Sequence, residues 1–175
     1  MIKKEEFKVL KTSRIDTELG PMVAIADEAF LYFLEFIDRK GFEKQLQKFL
    51  KKTGISIIEG STKPIESIEK ELRLYFEGKL TDFKTPIIMT GTPFQQNVWK
   101  ELLKIPLGET RSYKDIAAAV GQSQAARAVG TANGSNKLAI IIPCHRVINA
   151  GGALGGYAGG LHRKKRILQL EKRVS

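Results

Sequence analysis

Cysteine and histidine are scarce in this chain of 175 residues, which has one thiol, Cys144, and two histidines. A single cysteine cannot form an internal disulfide, so a disulfide-stabilised secreted scaffold is excluded and a reducing cytoplasm is the expected location. One cysteine and two histidines without compact ligand spacing also argue against a zinc site. We therefore expect no metal site.

Long apolar runs are missing as well. No stretch approaches the roughly 18 consecutive apolar residues that a membrane span requires. The N-terminal segment MIKKEEFKVL lacks the apolar core of a secretory signal. The apolar share of 42% is nevertheless ordinary for a globular protein, so the chain can bury a sizeable core. The sequence predicts neither a membrane protein nor an exported one.

Acidic residues are scarce in only one half of the chain. Residues 87–175 contain 13 lysines and arginines but only 4 acidic residues, a net charge of +9. Residues 1–86 contain 16 lysines and arginines and 15 acidic residues, a net charge of +1. This asymmetry indicates an anionic partner for the second half, with nucleic acid as the leading candidate and a solvated basic surface as the plain alternative. We place the domain boundary between 1–86 and 87–175, with a connection over residues 81–93.

The first half alternates patterns typical of strands and helices. The segment MVAIADEAFLYFLEF contains two β-branched and aromatic runs separated by Asp27 and Glu28, which predicts a hairpin. The segment FEKQLQKFLKKTG places its apolar residues on one helical face and ends at Gly54. A second helix is predicted from Pro64 to Gly78. No cluster of ligand-type residues interrupts these elements, so their apolar stripes are expected to form core.

The second half predicts a helix-turn-helix. One helix is expected to begin at Thr92 as its N-cap, with Gln95 completing a capping box. A short helix then follows Ser112 and stops at Gly121, and a second short helix begins near Ser123. Two short helices joined by a turn are a weak signal alone, but the positive charge of this half supports a DNA-binding interpretation.

The second of these helices, in SQAARAVGTANG, carries alanine and glycine where a core helix would carry larger apolar residues. Small side chains allow a helix backbone to approach a phosphate chain or to enter a narrow groove. Arg127 would project from this smooth surface, where it could fill a vacancy in a base stack or pair with a phosphate. A solvated surface arginine is the alternative.

The surroundings of Cys144 favour a reactive thiol. The preceding run LAIII (138–142) predicts a buried strand that ends at Pro143. A lone buried cysteine is most often an inert core residue. Here, however, His145 is adjacent and the glycine-rich segment 149–160 could form the wall of a pocket.

A proton path from the thiol needs a base and a group that orients it. Neighbouring side chains point to opposite sides of extended backbone, so a bridging water is the expected link between Cys144 and His145. Glu171, inside the basic helix HRKKRILQLEKR, is the candidate that orients His145. The free thiol pKa of about 8.5 would have to fall for the thiolate to be useful at neutral pH.

Several motifs together resemble one family. LAIII followed by PCHRV, with GTPFQQNVW upstream and GGYAGGLHRKKRILQLE downstream, is similar to the O6-alkylguanine-DNA alkyltransferases in their short bacterial form. The resemblance is strong over about residues 90–172, whereas the first half matches in length and in its LGP turn. It implies an α+β fold with a small RNase H-like N-terminal domain and a helix-turn-helix, winged-helix-like C-terminal domain.

The same resemblance implies the chemistry and its residues. The family moves an alkyl group irreversibly from O6 of guanine in duplex DNA onto a cysteine, without a cofactor. By position, Cys144 is the acceptor, and His145 and Glu171 complete a water-linked proton path. Asn136 matches the residue that ties the recognition helix to the active-site segment, and Tyr113 the residue that helps rotate the nucleotide and hydrogen-bonds the purine. DNA contacts are expected from Tyr113, Lys114, Gln122 and Arg127, with Arg127 filling the gap in the stack, and the base pocket from Val147, Gly156, Tyr157 and Ala158.

Two positions depart from the family pattern. Ala158 stands where some relatives have a serine that can hydrogen-bond the flipped base, so a backbone N–H would have to replace that contact. Lys137 replaces a proline that is common after the asparagine, which would loosen that turn. Neither change touches the nucleophile, and we expect effects on substrate preference and rate only.

The implied partner is double-stranded DNA that carries O6-alkylguanine, bound through the minor groove by a monomer. Cooperative binding to DNA stays open. Two other interpretations remain: a lesion-sensing DNA-binding protein that transfers nothing, and a Cys-His-Glu hydrolase that acts on small molecules. The presence of Cys144 counts against the first, and the charge of residues 87–175 is unexplained by the second.

Overall fold

The computed structural model describes residues 8–175. The first seven residues of the segment in which we expect no export signal lie outside the described part. From residue 8 onward, the first half consists of three strands, a helix, a strand and a helix, and the second half is mainly helical. The expected mixed α+β class is confirmed.

A four-stranded sheet forms the centre of the first half. Its strands are β1 (Val9–Thr17), β2 (Gly20–Ala26), β3 (Leu31–Phe36) and β4 (Ser56–Glu59), in the order β3-β2-β1-β4. The first three pair antiparallel, and β4 runs parallel to β1. The predicted hairpin is β2–β3, and its turn is closed by the Asp27 carboxylate, which accepts the backbone N–H groups of Ala29 and Phe30.

The two helices of the first half contribute to two separate cores. They are α1 (Phe42–Thr53) and α2 (Lys63–Phe76), close to the bounds that the apolar spacing predicts. Successive residues of a strand point to opposite faces of a sheet. Accordingly, Ile25 packs in a cluster with Phe49 of α1, whereas Ala24 belongs to the core that α2 shares with the second half.

The second half folds around a bundle of short helices. Its elements are α3 (Pro93–Leu102), β5 (Arg111–Ser112), α4 (Tyr113–Ala119), α5 (Ala126–Gly134), a 3₁₀ helix (Cys144–Arg146), β6 (Val147–Ile148) and α6 (Leu161–Val174). The strands β5 and β6 form a short parallel pair, and α4 and α5 pack together on α3. The predicted helix-turn-helix is therefore α4–α5.

Local capping explains where α3 and α4 begin. The Thr92 hydroxyl accepts the N–H of Gln95, whose side chain accepts the N–H of Thr92, as the sequence predicts. Ser112 and Asp115 form a second reciprocal pair at the start of α4. Each pair satisfies two N–H groups that a helix end leaves without partners.

The start predicted for α5 is wrong by about one turn. The helix begins at Ala126 and not near Ser123, and no side chain caps it. Before it, Gly121 takes a left-handed conformation (φ 77°), and the carbonyl of Gln122 accepts the N–H of Ala125. The connection in the helix-turn-helix is therefore longer than the spacing of small residues indicates.

The segment LAIII is buried but is not a strand, so that prediction is wrong. Leu34 of β3 donates its N–H to the carbonyl of Lys137 and accepts the N–H of Ala139, which is a single bridge. The chain then turns, and Ile140 has a φ of 72°, which is unusual for a β-branched residue. Cys144 consequently lies in a 3₁₀ helix and not at the end of a strand.

The two halves share one hydrophobic core. Leu72 of α2, Leu102 of α3 and Ile167 of α6 belong to the same buried cluster. The outer edge of β3 is also bonded to the rest of the chain, by residues 86–88 near Leu31 and by residues 137–139 near its middle. Across residues 8–175, no helix has the length and apolar character to cross a membrane.

Candidate active site

Cys144 lies at a cavity of about 340 Å³ between α5 and the glycine-rich loop. The cysteine is 7% exposed, and its N–H donates to the carbonyl of Ile142. The cavity is open on one side. It is lined by Tyr113, Gly130, Asn133, Gly134, Cys144, Asn149, Gly156, Tyr157 and Ala158.

His145 points away from this cavity into the core, where it meets Glu171 of α6. The distance from His145 Nε2 to Glu171 Oε1 is 2.7 Å, and both side chains are fully buried. Hydrogen bonds from His145 and Arg146 outweigh the effect of burial and hold the pKa of Glu171 well below its usual range. An ionised carboxylate can only accept, so Nε2 carries the proton and Nδ1 keeps its lone pair.

Three side chains hold the Glu171 carboxylate in place. Arg146 donates to both oxygens, from Nε to Oε2 and from Nη2 to Oε1, each at 2.9 Å. The hydroxyl of Tyr75, on α2 of the first half, donates to Oε1 at 2.6 Å. With His145 added, the buried carboxylate is neutralised and fully bonded, which is the condition under which a buried charge is tolerated. The carboxylate therefore has a fixed direction from which to orient the imidazole.

Before reaction, neither the Cys144 thiol nor the His145 imidazole carries a charge. Burial lowers the pKa of His145, only partly opposed by Glu171, so the imidazole is neutral at pH 7. Burial likewise raises the pKa of the Cys144 thiol to about 11. His145 Nδ1 has no hydrogen-bond partner among residues 8–175. The sequence argument required a lowered thiol pKa, whereas the structure keeps the thiol protonated until a base removes the proton.

Asn136 connects the end of α5 to the cysteine segment. Its amide Nδ2 donates to the carbonyl of Ile142 at 2.9 Å and lies 3.4 Å from Cys144 Sγ, and its Oδ1 accepts the N–H of Leu138. An N–H that points at sulfur favours the thiolate over the thiol. Asn136 therefore fixes the irregular segment 137–144 and supplies a donor to the nucleophile.

Lys164 holds the glycine-rich loop in place through hydrogen bonds to its backbone. Its side chain is fully buried, and its ammonium donates to the carbonyls of Val147, Leu154 and Gly156. Burial lowers its pKa to about 8. The Val147 side chain is itself fully buried and is not among the lining residues, so only its carbonyl takes part in supporting the pocket. This differs from the expectation that Val147 lines the base pocket.

The loop also depends on one glycine that approaches Tyr113. Gly155 has a φ of 70°, and a Cβ placed there would lie 3.1 Å from the Tyr113 hydroxyl oxygen. Tyr113 itself stands at the first position of α4, and burial raises the pKa of its hydroxyl, with the nearby Cys144 adding to the effect. The phenol therefore remains a hydrogen-bond donor at neutral pH.

The other residues expected to contact DNA lie on the outer surface of the helix-turn-helix. Lys114, Gln122 and Arg127 are all exposed, and α5 has small residues around Arg127. Lys114 lies on α4, Arg127 on α5 and Gln122 in the turn between them, and both helices contribute lining residues to the cavity. The cavity that contains Cys144 therefore adjoins the helix-turn-helix. Over residues 8–175, no group of three or more metal-ligating side chains occurs.

Comparison with known proteins agrees with this arrangement. Residues 10–88 match the family model of the 6-O-methylguanine DNA methyltransferase ribonuclease-like domain, and residues 93–173 match that of its DNA-binding domain. A methylated-DNA--protein-cysteine methyltransferase of Mycobacterium leprae is 44% identical over 158 residues, 90% of each chain. The chain belongs to the 6-O-methylguanine-DNA methyltransferase family. The ribonuclease-like fold expected for the first half is thereby confirmed.

Other members of the family support the same conclusion. A Mycobacterium tuberculosis relative is 59% identical over 102 residues, which spans 58% of this chain and 62% of that relative. The crystal structure of Mycobacterium tuberculosis OGT in complex with DNA superposes with a TM-score of 0.81 at 41% identity and covers 94% of each chain. A methyltransferase from Pyrococcus kodakaraensis is 27% identical, with a TM-score of 0.68 over 93% of this chain and 98% of its own.

Sequence reasoning noted Arg146 beside Cys144 but assigned no role to it, and it missed two other side chains that build the site. Arg146 and Tyr75 hold Glu171, and Lys164 holds the pocket loop. Arg146 and Lys164 are conspicuous only as cations next to a reactive cysteine and inside a basic helix. Tyr75 lies 96 residues from its partner, and nothing local in the sequence indicates the contact.

Proposed function

We propose that this protein repairs O6-alkylguanine in duplex DNA by moving the alkyl group onto Cys144, once per molecule, as a methylated-DNA–[protein]-cysteine S-methyltransferase. One observation carries the proposal. The only thiol of the chain lies at a cavity that is lined in part by residues of α4 and α5, the two helices of the basic helix-turn-helix. A nucleophile for small molecules would need no such surface beside it.

Recognition begins with the DNA backbone. The net positive charge of the second half attracts the phosphates, and the small residues of α5 let its backbone enter the minor groove. The alkylated base must leave the stack to reach Cys144, which costs a few kcal/mol. Arg127, exposed on α5, fills the gap that the base leaves and offsets part of this cost. Lys114 and Gln122 contact the strands beside it.

The flipped base occupies the cavity between Tyr113 and the glycine-rich loop. Gly156, Tyr157 and Ala158 line this side. The methyl group of Ala158 offers no hydrogen bond, so the backbone N–H groups of the loop are the donors that face O6. The hydroxyl of Tyr157 has no partner among residues 8–175, which leaves it free to bond the purine edge.

Alkyl transfer then proceeds by displacement at carbon. Cys144 Sγ attacks the alkyl carbon, a C–S bond forms, and the C–O6 bond breaks with its electron pair on guanine. The thiol proton passes through one water to Nδ1 of His145, while Glu171 stabilises the imidazolium that results. Tyr113 donates a hydrogen bond to the ring as its charge develops. The guanine anion then takes up one proton from water and the imidazolium of His145 releases one to water, so that overall the thiol proton is transferred to guanine. The products are a thioether and unmodified guanine.

Turnover is not expected, because water does not displace a thiolate from an alkyl carbon under physiological conditions. No cofactor enters the balance, since the thiol supplies the nucleophile and the proton. The reaction requires a reduced cysteine, which a reducing cytoplasm maintains. One cavity and one helix-turn-helix in each chain are enough to act on one lesion, so we propose that the protein works as a monomer.

Mass spectrometry of the intact protein tests this proposal. After incubation with duplex DNA that carries O6-methylguanine, each molecule should gain the mass of one CH2, located on Cys144. Unmethylated duplex is the control and should leave the mass unchanged. Cys144→Ser should still bind DNA but gain no adduct.

Two outcomes contradict the proposal. Tight binding to the lesion without any adduct would indicate a lesion sensor. Clearance of many lesions, or hydrolysis of an ester with the thiol regenerated, would indicate an enzyme that turns over.

A further inference from the structure

A second cavity of about 400 Å³, which the repair chemistry does not use, lies between α1 and the start of α3. We call it the basic groove. Its charged lining residues are Arg39, Lys44, Lys48, Lys52 and Lys137, and no acidic side chain of residues 8–175 lines it. Four of these five cations belong to the half of the chain whose overall charge is nearly balanced, so bulk composition does not explain the groove.

Three of these lysines form a row. Lys44, Lys48 and Lys52 recur every four residues on α1, which places them on one face of the helix about 6 Å apart along its axis. All three are exposed, and none forms a salt bridge with a carboxylate of residues 8–175. A solvated helix face normally mixes charges of both signs. This row has one sign and faces a cavity.

Lys137 completes the groove from the other side. Its ammonium donates to the carbonyl of Thr90 at 2.8 Å and lies 5.3 Å from the centre of the Trp99 ring. Burial lowers its pKa to about 8, and repulsion from Lys52 and Lys48 adds to the shift. A half-buried cation that faces two others without a carboxylate is destabilised by their repulsion, and a bound anion would relieve that repulsion.

The start of α3 adds to the preference for an anion. Thr92 and Gln95, which cap this ten-residue helix, line the groove. The N-terminal end of a helix carries partial positive charge and attracts phosphate groups. Arg39 does not count as a free charge here, because it forms a salt bridge with the buried Glu35 at 2.7 Å.

The groove and the active-site cavity share one lining residue. Gly134, the last residue of α5, lines both cavities. Arg127 stands near the opposite end of the same helix. A DNA strand whose flipped nucleotide occupies the first cavity therefore has one flank directed past Gly134 toward the lysine row.

We propose that the basic groove binds the phosphodiester backbone of the duplex under repair, on one flank of the flipped nucleotide. The inference rests on the proposed function and extends it, because it assigns a DNA contact to the first half of the chain. The ligand chemistry is a row of phosphates, and the spacing of Lys44, Lys48 and Lys52 suits an extended polyanion better than a single small anion.

The test replaces the lysine row in the full chain. The variant Lys44→Gln, Lys48→Gln, Lys52→Gln removes three exposed charges and no buried contact. Its matched control is Lys51→Gln, Lys63→Gln, Lys70→Gln, which removes three exposed lysines of the same half that do not line the groove. Each protein is titrated with a lesion-bearing duplex at several salt concentrations.

The expected result is a weaker salt dependence for the groove variant only. Three lost phosphate contacts reduce the slope of log K against log salt by about 2.7, so a fourfold rise in salt should cost wild type about 40-fold more affinity than the variant. Two duplexes with the lesion near one end or the other locate the contact. The difference should disappear on the duplex whose groove-side flank is missing, and on that duplex only.

Other outcomes overturn the proposal. Equal slopes for the groove variant and its control would mean that the lysines act only through net charge. A difference that persists on both truncated duplexes would assign the groove to a second DNA segment. Alkyl transfer from free O6-benzylguanine should be unchanged in both variants, and this measurement separates the two claims. An absence of transfer in wild type would contradict the proposed function. An unaltered DNA affinity of the groove variant would contradict the groove proposal alone.

Discussion

The strongest test of the proton path is the pH dependence of alkyl transfer from free O6-benzylguanine. In wild type, Cys144 is protonated and His145 is neutral. The thiol and the base that accepts its proton are therefore already in the protonation states that the reaction needs. The rate of wild type should therefore be nearly constant from pH 7 to 9.5, and should fall only at an acidic pH below the ordinary imidazole range, because burial lowers the pKa of His145. Using the free base keeps DNA binding out of the measurement.

The variant His145→Gln should behave differently. A glutamine amide can still donate to Glu171 but offers no basic nitrogen, so only molecules already ionised can react. With the thiol pKa at about 11, the thiolate fraction at pH 7 is about 10⁻⁴ and rises tenfold per pH unit. The rate of the variant should accordingly rise about 300-fold between pH 7 and 9.5.

Two comparisons make this result interpretable. Tyr75→Phe removes another partner of Glu171 but leaves His145 in place, so it should keep the flat profile. Lys164 titrates in the same range, because burial lowers its pKa to about 8, but it does so in wild type and variant alike. A tenfold rise per pH unit in wild type would refute the role of His145 as base, and so would a flat profile in His145→Gln.

Two further predictions concern the duplex surface and the pocket loop. Arg127→Ala should slow repair of a methylated duplex by at least about tenfold, or ~1.4 kcal/mol, and leave transfer from the free base unchanged; equal losses on both substrates would contradict a role in the stack. Lys164→Met leaves the carbonyls of Val147, Leu154 and Gly156 without their donor. It should lower the free energy of unfolding in urea by about 3 kcal/mol and slow transfer from the free base, and unchanged values of both would refute its role in holding the loop.

Local chemistry made part of the fold predictable from sequence. The capping pairs at Thr92 and Ser112 act over three residues, so the starts of α3 and α4 could be read directly. The apolar spacing in α1 and α2 likewise predicts a helix and no other element. The start of α5 was wrong because its first residues have neither a side-chain cap nor large apolar side chains.

Long-range contacts account for what could not be predicted. The run LAIII is buried because it packs on β3 and the shared core, and a short apolar run cannot distinguish a buried turn from a buried strand. The predicted contact between His145 and Glu171 is present at 2.7 Å, and the joint action of these two residues with Cys144 stays a prediction. The Tyr75 contact and the basic groove join distant parts of the chain, and only the folded structure reveals them.

The pairing of the outer edge of β3 has a consequence for cleavage of the chain between its two halves. Residues 86–88 and 137–139 cover an edge strand with the sequence LYFLEF. A proteolytic cut that released the second half would leave this apolar strand with unpaired backbone groups, which is a template for aggregation. The first half is therefore not expected to be a stable module without the second, because part of its sheet edge is completed by the other half of the chain.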